Sequence, residues 1–303
     1  MTKPYILVIG SISIDYVVEC DKRPLSGETY IGTSFHTYFG GKGANQAVAC
    51  ARLGCEVKFL GCVGKDDAGM KCIQNLKQNK IDTSYIKEVD EETGSAHIVV
   101  ADKDNSIIVV PGANLHCSKE QIDAALSDKP ALVILQNEIA MTSVEYAIEQ
   151  CFENNIPIIY NPAPAKTINM ETVKKATYIT PNESEFDLLF QGETRDKILS
   201  QMPNQLILTL GEDGVALHNG DEEQQVEAYK VEVVDTTGAG DTFNGALAYG
   251  LINNYSLNQS IKMANLAAAL SIQKKGAQGG IPTIDEMKES KMYEKEWNIK
   301  SRY

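Results

Sequence analysis

Six short aliphatic runs constrain this chain more than any other feature: "YILVIG", "VKFLGCVG", "ALVILQ", "IPIIYN", "ATYITPN" and "QLILTLG". None alternates apolar with polar residues, so each suits a strand covered on both faces. Helical patterns lie between them. "KGANQAVACARLG" places Ala44, Ala47, Val48 and Ala51 on one face and stops at Gly54. "SKEQIDAAL" opens on a capping box of Ser118 with Gln121. Alternating strands and helices predict an α/β fold, a doubly wound and mostly parallel sheet with helices on both faces. At 303 residues there is room for one large domain with a small appendage.

Two β-rich stretches break the rhythm. Residues 14–39 hold "IDYVVECD" and "ETYIGTSFHTYFG", and residues 95–110 read as a hairpin turning at Asp102–Asn105. Together they predict a small discontinuous β-sheet, a lid over a core made of residues 1–13, 40–94 and 111–303. The charged tail, residues 288–303, reads as a surface helix or a frayed end.

A net charge of −13 argues against nucleic acid as a partner, because phosphate backbones call for clustered Lys and Arg. No run approaches the ~18 apolar residues of a membrane helix, and the start of the chain lacks a secretory cleavage pattern. The seven cysteines form no CxxC pair, and Cys50 and Cys62 sit in apolar contexts that suit buried free thiols. The four histidines lack metal-ligand spacing. A cytoplasmic protein without structural zinc is the expectation.

In open α/β sheets ligands bind beyond the carboxyl ends of the strands. Polar residues at those ends are therefore the candidates. "GSISID" brings Ser13 and Asp15, where Asp15 suits either a turn or a ligand hydroxyl. "FGGKGANQA" opens a helix, with Gly41 and its neighbours permitting close approach and Lys42 and Asn45 adding donors. Its spacing is neither a Walker A loop nor GxGxxG, which sets a Rossmann dehydrogenase aside. Glu138 ends a strand in "LQNEIA", and two prolines stiffen "NPAPA". In "TPNESE" the acids after Asn182 serve either as helix-dipole compensation or as a Mg²⁺-water site. "LTLGEDG", Thr209 to Gly214, is a strand end with a glycine turn. In "DTTGAGDTFNGA" the amides around Gly238 and Gly240 can form a concavity for phosphate oxygens. Asp241 there is either a helix cap or a carboxylate that takes the proton of an attacking hydroxyl.

Taken in order with "KKGAQ" at Lys274–Gln278, these segments resemble the ribokinase-like sugar kinases, the PfkB carbohydrate kinases, from about residue 5 to 285. The resemblance implies ATP-dependent phosphorylation of a sugar hydroxymethyl, for D-ribose its 5-hydroxyl. A deoxyribokinase or fructokinase is the alternative, and a non-catalytic sugar sensor a remoter one. It makes Asp241 the base and the amides of Gly238, Ala239 and Gly240 the anion hole. It assigns Ser13, Asp15, Gly41, Lys42, Asn45 and Glu138 to the sugar. Asn182 and Glu185 match an N-x-x-E motif acting through Mg²⁺ and phosphate. Thr209, Gly211, Gly214 and Asn265 fall where the nucleotide lies. Asp235, Thr237 and the carbonyls from Ile272 through Lys274 to Gly276 match a monovalent-cation site, usually K⁺. The lid implies a homodimer. Three departures stand out: Ser13 replaces a common Asn, Gly280 replaces a hydroxyl ligand of the cation, and the segment between "TPNESE" and "TLG" is short by part of a helix.

Overall fold

The unbroken aliphatic runs serve two cores at once. In the strand Tyr5–Ile9 (β1), Ile6 and Val8 point into one core and Leu7 and Ile9 into the other, and all four are fully buried. Each run is therefore two interleaved period-two patterns, which is why alternation is absent.

The computed structural model describes residues 3–102 and 104–294. After β1 come Ser13–Glu19 (β2), Ser34–Gly40 (β3), Lys42–Arg52 (α1), Glu56–Gly64 (β4), Asp67–Gln78 (α2) and Asp82–Val89 (β5). Gly94–Ala101 (β6), Asp104–Val110 (β7), Lys119–Ser127 (α3), Leu132–Gln136 (β8), Met141–Glu153 (α4) and Ile158–Asn161 (β9) follow. Next are Met170–Val173 (α5), Tyr178–Ile179 (β10), Glu183–Leu189 (α6), Arg195–Gln201 (α7) and Leu208–Thr209 (β11). The chain continues through Val215–His218 (β12), Glu223–Val226 (β13), Ala239–Ile252 (α8), Leu257–Ser271 (α9) and Ile284–Glu289 (α10).

Six strands form the parallel sheet in the order β10-β9-β8-β1-β4-β5. The core on one face is built with α1, α2, α8 and α9, and the core on the other with α3, α4, α6 and α7. The capping box at Ser118 and Gln121 forms as the spacing predicts. Helix α1 is more enclosed than its one apolar face suggests: Gly43 to Cys50 are all buried, while Ala51 is only half-buried.

The sixth run departs from expectation. "QLILTLG" supplies only Leu208–Thr209 to a ladder, and its partner is antiparallel β12 in a separate sheet, β11-β12-β13. Single parallel bridges, Ile179 to Leu206 and Asn182 to Thr209, tie this strand to the β10 edge. The hairpin β12–β13 escapes sequence reading because "EQQV" carries no aliphatic run.

A four-stranded sheet of order β3-β2-β6-β7 gathers the two inserted stretches. Its outer pairs are antiparallel and the central β2–β6 pair is parallel. The β6–β7 hairpin pairs Ala101 with Asp104, so its turn starts at Asp102, which has φ of +55°. Helix α10 ends at Glu289, and the tail beyond residue 294 lies outside the described residues. Among the described residues no helix is long and apolar enough to cross a membrane.

Candidate active site

Two helix starts meet at the carboxyl end of the parallel sheet. Helix α8 begins after Gly238, whose φ of +78° is open to glycine at little cost. A side chain there would meet the backbone of Ala277 at 2.9 Å. Gly240, two residues on, faces open space. Asp241 follows in the first turn and is buried. It is not the cap of the helix, a position taken by Gly238. Its carboxylate instead accepts from two side-chain amides of α1, Asn45 Nδ2 on Oδ2 and Gln46 Nε2 on Oδ1, both at 2.9 Å.

Helix α1 starts after Gly41, and its first turn packs on the end of β1. A Cβ at Gly43 would lie 2.6 Å from the amide nitrogen of Ser11 and 2.7 Å from Gly10, so this glycine serves close packing. Glu138, just beyond β8, accepts from the backbone amide of Lys42 at 2.9 Å and from the Ser11 hydroxyl. A carboxylate at a helix start is favoured by the dipole, so Glu138 has a structural task beside any ligand.

The carboxylates crowd one cation. The Lys42 ammonium is pushed up by Asp241, with burial opposing and Glu138 and Glu185 adding to the rise. Asp15 is pushed up to about 6, first by burial and then by the charges of Glu138 and Asp241, although the Ser13 hydroxyl donates to it at 3.2 Å. Ser13, Asp15, Gly41, Lys42, Asn45, Glu138 and Asp241 thus come together as one cluster.

Asn182 and Glu185 form a reciprocal capping box at α6, each backbone amide 2.9 Å from the other's side chain. Burial raises the Glu185 carboxyl. Thr209 is tied to this turn, its amide donating to the Pro181 carbonyl at 2.9 Å. Gly211 lies in the short 3-10 turn that follows. Gly214 and Asn265 converge on one stretch of chain: a side chain at Gly214 would run into Val226 to Ala228, and Asn265 Nδ2 donates to the carbonyls of Val226 and Glu227.

Asp235 closes the loop before α8. Partial burial acts to raise it, but the side chain and amide of Thr237 and the amide of Gly276 outweigh that and hold it below the usual carboxylate range. The Ile272 carbonyl, expected at a cation, accepts the amides of Val234 and Asp235 at 2.8 and 3.1 Å. Lys274 Nζ pairs with Glu286. Ala239, one of the three expected anion-hole amides, donates to the Thr236 carbonyl at 3.2 Å. Gly280 lies directly against the Ser271 carbonyl, so this chain has no space for a hydroxyl side chain there. Among the described residues no three His, Cys, Asp or Glu side chains gather to hold a metal.

Sequence reasoning passed over Ser11, Gln46, Gln136, Asn161 and Gln278, all buried and all hydrogen-bonded to this cluster or to its partners. The available signal was a polar residue inside an otherwise apolar element. Gln46 interrupts an alanine-rich helix, and Gln136 and Asn161 end aliphatic strands.

Known proteins resemble this chain over nearly its whole length. The chain is 47% identical over 287 residues to a ribokinase of Bacillus subtilis, covering 94% of this chain and 98% of that one. It is 46% identical over 306 residues to a ribokinase of Lactococcus lactis, covering 99% and 100%. A solved ribokinase of Arabidopsis thaliana, complexed with ribose and ATP, superposes with a TM-score of 0.85 at 30% identity, covering 94% of this chain and 98% of that one. The model of the pfkB family carbohydrate kinases matches residues 3–284. The chain belongs to the pfkB family of carbohydrate kinases.

Proposed function

We propose that this kinase transfers the γ-phosphoryl group of ATP to the 5-hydroxyl of D-ribose, giving ribose 5-phosphate and ADP. The observation that carries the reading is the Asp241 carboxylate, held by two amide donors at the start of α8 beside the open face of Gly240. An acceptor-only carboxylate in that position takes the proton of an attacking hydroxyl. The amides of Gly238 and Gly240, at the positive end of α8, face the charge that develops on the phosphoryl oxygens. Asp15, Lys42 and Asn45 orient the sugar, with Glu138 and Ser13 beside them. Thr209, Gly211, Gly214 and Asn265 border the nucleotide.

Phosphoryl transfer of this kind works with Mg²⁺ on the phosphates, and Mg²⁺ keeps most of its waters, so Glu185 and Asn182 suffice beside ATP without an all-protein cage. Asp235, kept ionised, with Thr237 and the Gly276 loop, offers the hard oxygen atoms that suit K⁺. When bound, these ions neutralise phosphate charge and add positive potential behind the anion hole.

The four-stranded sheet acts as the lid. On β7, Ile107 and Val109 point to one face and Ile108 and Val110 to the other, and all four are exposed. One face closes over the sugar and excludes competing water. The other pairs with a second copy of the chain, since so much apolar surface is rarely left wet. A monomer by light scattering at micromolar concentration would contradict the pairing.

Coupled ADP-release assays over a sugar panel test the substrate. Ribose is expected to give the highest kcat/KM. Ser13 favours 2-deoxyribose as second reading, because its hydroxyl is already spent on Asp15 and is shorter than an amide. Equal turnover of ribose, deoxyribose and fructose would overturn the ribose assignment.

A further inference from the structure

Both amides that hold Asp241 are symmetric in shape, and an acceptor-only carboxylate can be met only by their NH₂ ends. In each case a glutamine from a distant part of the chain takes up the amide's oxygen and so holds its NH₂ toward Asp241. Gln278 Nε2 donates to Asn45 Oδ1 at 3.0 Å, which leaves Asn45 Nδ2 for Asp241. Gln136 Nε2 donates to Gln46 Oε1 at 2.6 Å, which leaves Gln46 Nε2 for Asp241 and Asn161. We propose that Gln278 and Gln136 are positioning residues of the kinase reaction, each setting the polarity of one amide that holds Asp241.

Two further observations support this. Gln136 Oε1 is buried without any hydrogen-bond partner, an arrangement that native proteins rarely tolerate. Turning the Gln136 amide over would set that oxygen against Gln46 Oε1, so the orphan is what the outward-facing NH₂ requires. Gln278 has its own polarity fixed in turn, since Asn75 Nδ2 of α2 donates to Gln278 Oε1 at 2.9 Å. The result is a directional chain from Asn75 through Gln278 and Asn45 to the base, with Gln136 and Gln46 arriving from the other side.

Gln278 is also fixed by its backbone. Arg52, the last residue of α1, donates to the carbonyls of Gln278 and Ile281 at 2.6 and 3.0 Å. Helix α1 therefore grips the loop after α9 at both its ends, through Asn45 and through Arg52. The same loop carries the Gly276 amide, which bonds Asp235. The donors on Asp241 are thereby tied to the region assigned to the monovalent cation.

The inference rests on Asp241 being the base, and the experiment separates the two claims. Gln278→Glu keeps shape and volume but, once ionised, can no longer donate to Asn45 Oδ1 and competes with Asp241 for the Asn45 NH₂. Gln278→Met loses the donor without adding that competitor. The expected order of kcat is wild type, then Met lower by about tenfold, then Glu lower by about a hundredfold, with the KM for ATP unchanged within about twofold. A packing role predicts the reverse order, because Glu is the isostere, and that order would overturn the proposal. Gln136→Met provides the second arm if Gln278→Glu fails to fold, and is also expected to lower kcat about tenfold; wild-type kcat there would overturn it too. In an Asn45→Ala background the Gln278→Met change should have almost no further effect, and full additivity counts against the coupling. Asp241→Asn is measured alongside: if that variant is active, the base assignment fails on its own account.

Discussion

The starts of α1 and α8 look alike in sequence and differ in what their glycines do. In "GGKGANQA" the glycine side is filled by protein: Gly43 lies on Gly10 and Ser11, and a side chain at Gly40 would collide with Asp15. In "DTTGAGDTFNGA" Gly238 is backed by Ala277, but Gly240 has nothing within reach. The first start is a packing device that delivers Lys42, Asn45 and Gln46 inward. The second leaves one side of a helix N-terminus bare. A glycine-rich turn into a helix is therefore not by itself a phosphate site, and the empty volume beside it is what distinguishes the two.

The largest expected effect falls on the residue the two starts share. Asp241→Asn keeps the side-chain volume but removes the proton acceptor, and it meets the NH₂ groups of Asn45 and Gln46 with an amide. Loss of general-base catalysis is worth about 10²–10⁴-fold, so kcat should fall by about a thousandfold or more while ribose still binds by calorimetry. Near wild-type turnover would remove Asp241 from the mechanism and leave α8 with only its amides.

A pair of identical substitutions breaks the comparison directly. Gly43→Ala forces a methyl against backbone atoms and should cost about 1–3 kcal/mol of stability, visible as a lowered Tm and poor expression. Gly240→Ala adds its methyl in open space within a helix, so stability should stay level or rise by up to about 1 kcal/mol. Its kcat should nevertheless fall by about ten- to a hundredfold, because the methyl occupies the approach to the phosphoryl group. If Gly240→Ala is fully active, the open space is not where the phosphate arrives. If Gly43→Ala is as stable as wild type, the packing account of the first start fails.

How much of this could be read in the sequence follows from chain distance. The parallel sheet was legible because five of the six aliphatic runs report their own burial locally. The capping box at Ser118 was legible because it spans only four residues. Asp241, Lys42, Asn45 and Glu138 were legible as polar residues at strand ends and helix starts. The residues behind the donors of Asp241 were not. Gln278 meets Asn45 across 233 positions, and Asn75 meets Gln278 across 203. Glutamine and asparagine give no periodic signal, and only folding brings these amides together. The β12–β13 hairpin was hidden for a different reason, since an edge strand such as "EQQV" has a single buried apolar residue, Val226, and no pattern to announce it.

The smallest effect sharpens the sugar side of the comparison. Asp15 belongs to the packed start, and its carboxyl titrates at about 6 through burial and the neighbouring charges of Glu138 and Asp241. A carboxyl raised above its unfolded value, close to 3.8, makes the folded protein less stable when ionised. The loss therefore develops as pH rises from about 4 to 6 and is complete above. Asp15→Asn removes it, so Tm of the variant should exceed wild type at pH 8, and the gain should vanish toward pH 4. In the proposed role this charge accepts hydrogen bonds from sugar hydroxyls, so wild-type ribose affinity should weaken as pH falls through about 6. In Asp15→Asn the ribose KM should be raised about ten- to a hundredfold and lose that pH dependence, with the KM for ATP unchanged. A variant that gains stability at pH 8 but binds ribose normally would make Asp15 a buried cost without a ligand. One that loses ribose binding and gains no stability would place its strain in the complex rather than in the free protein.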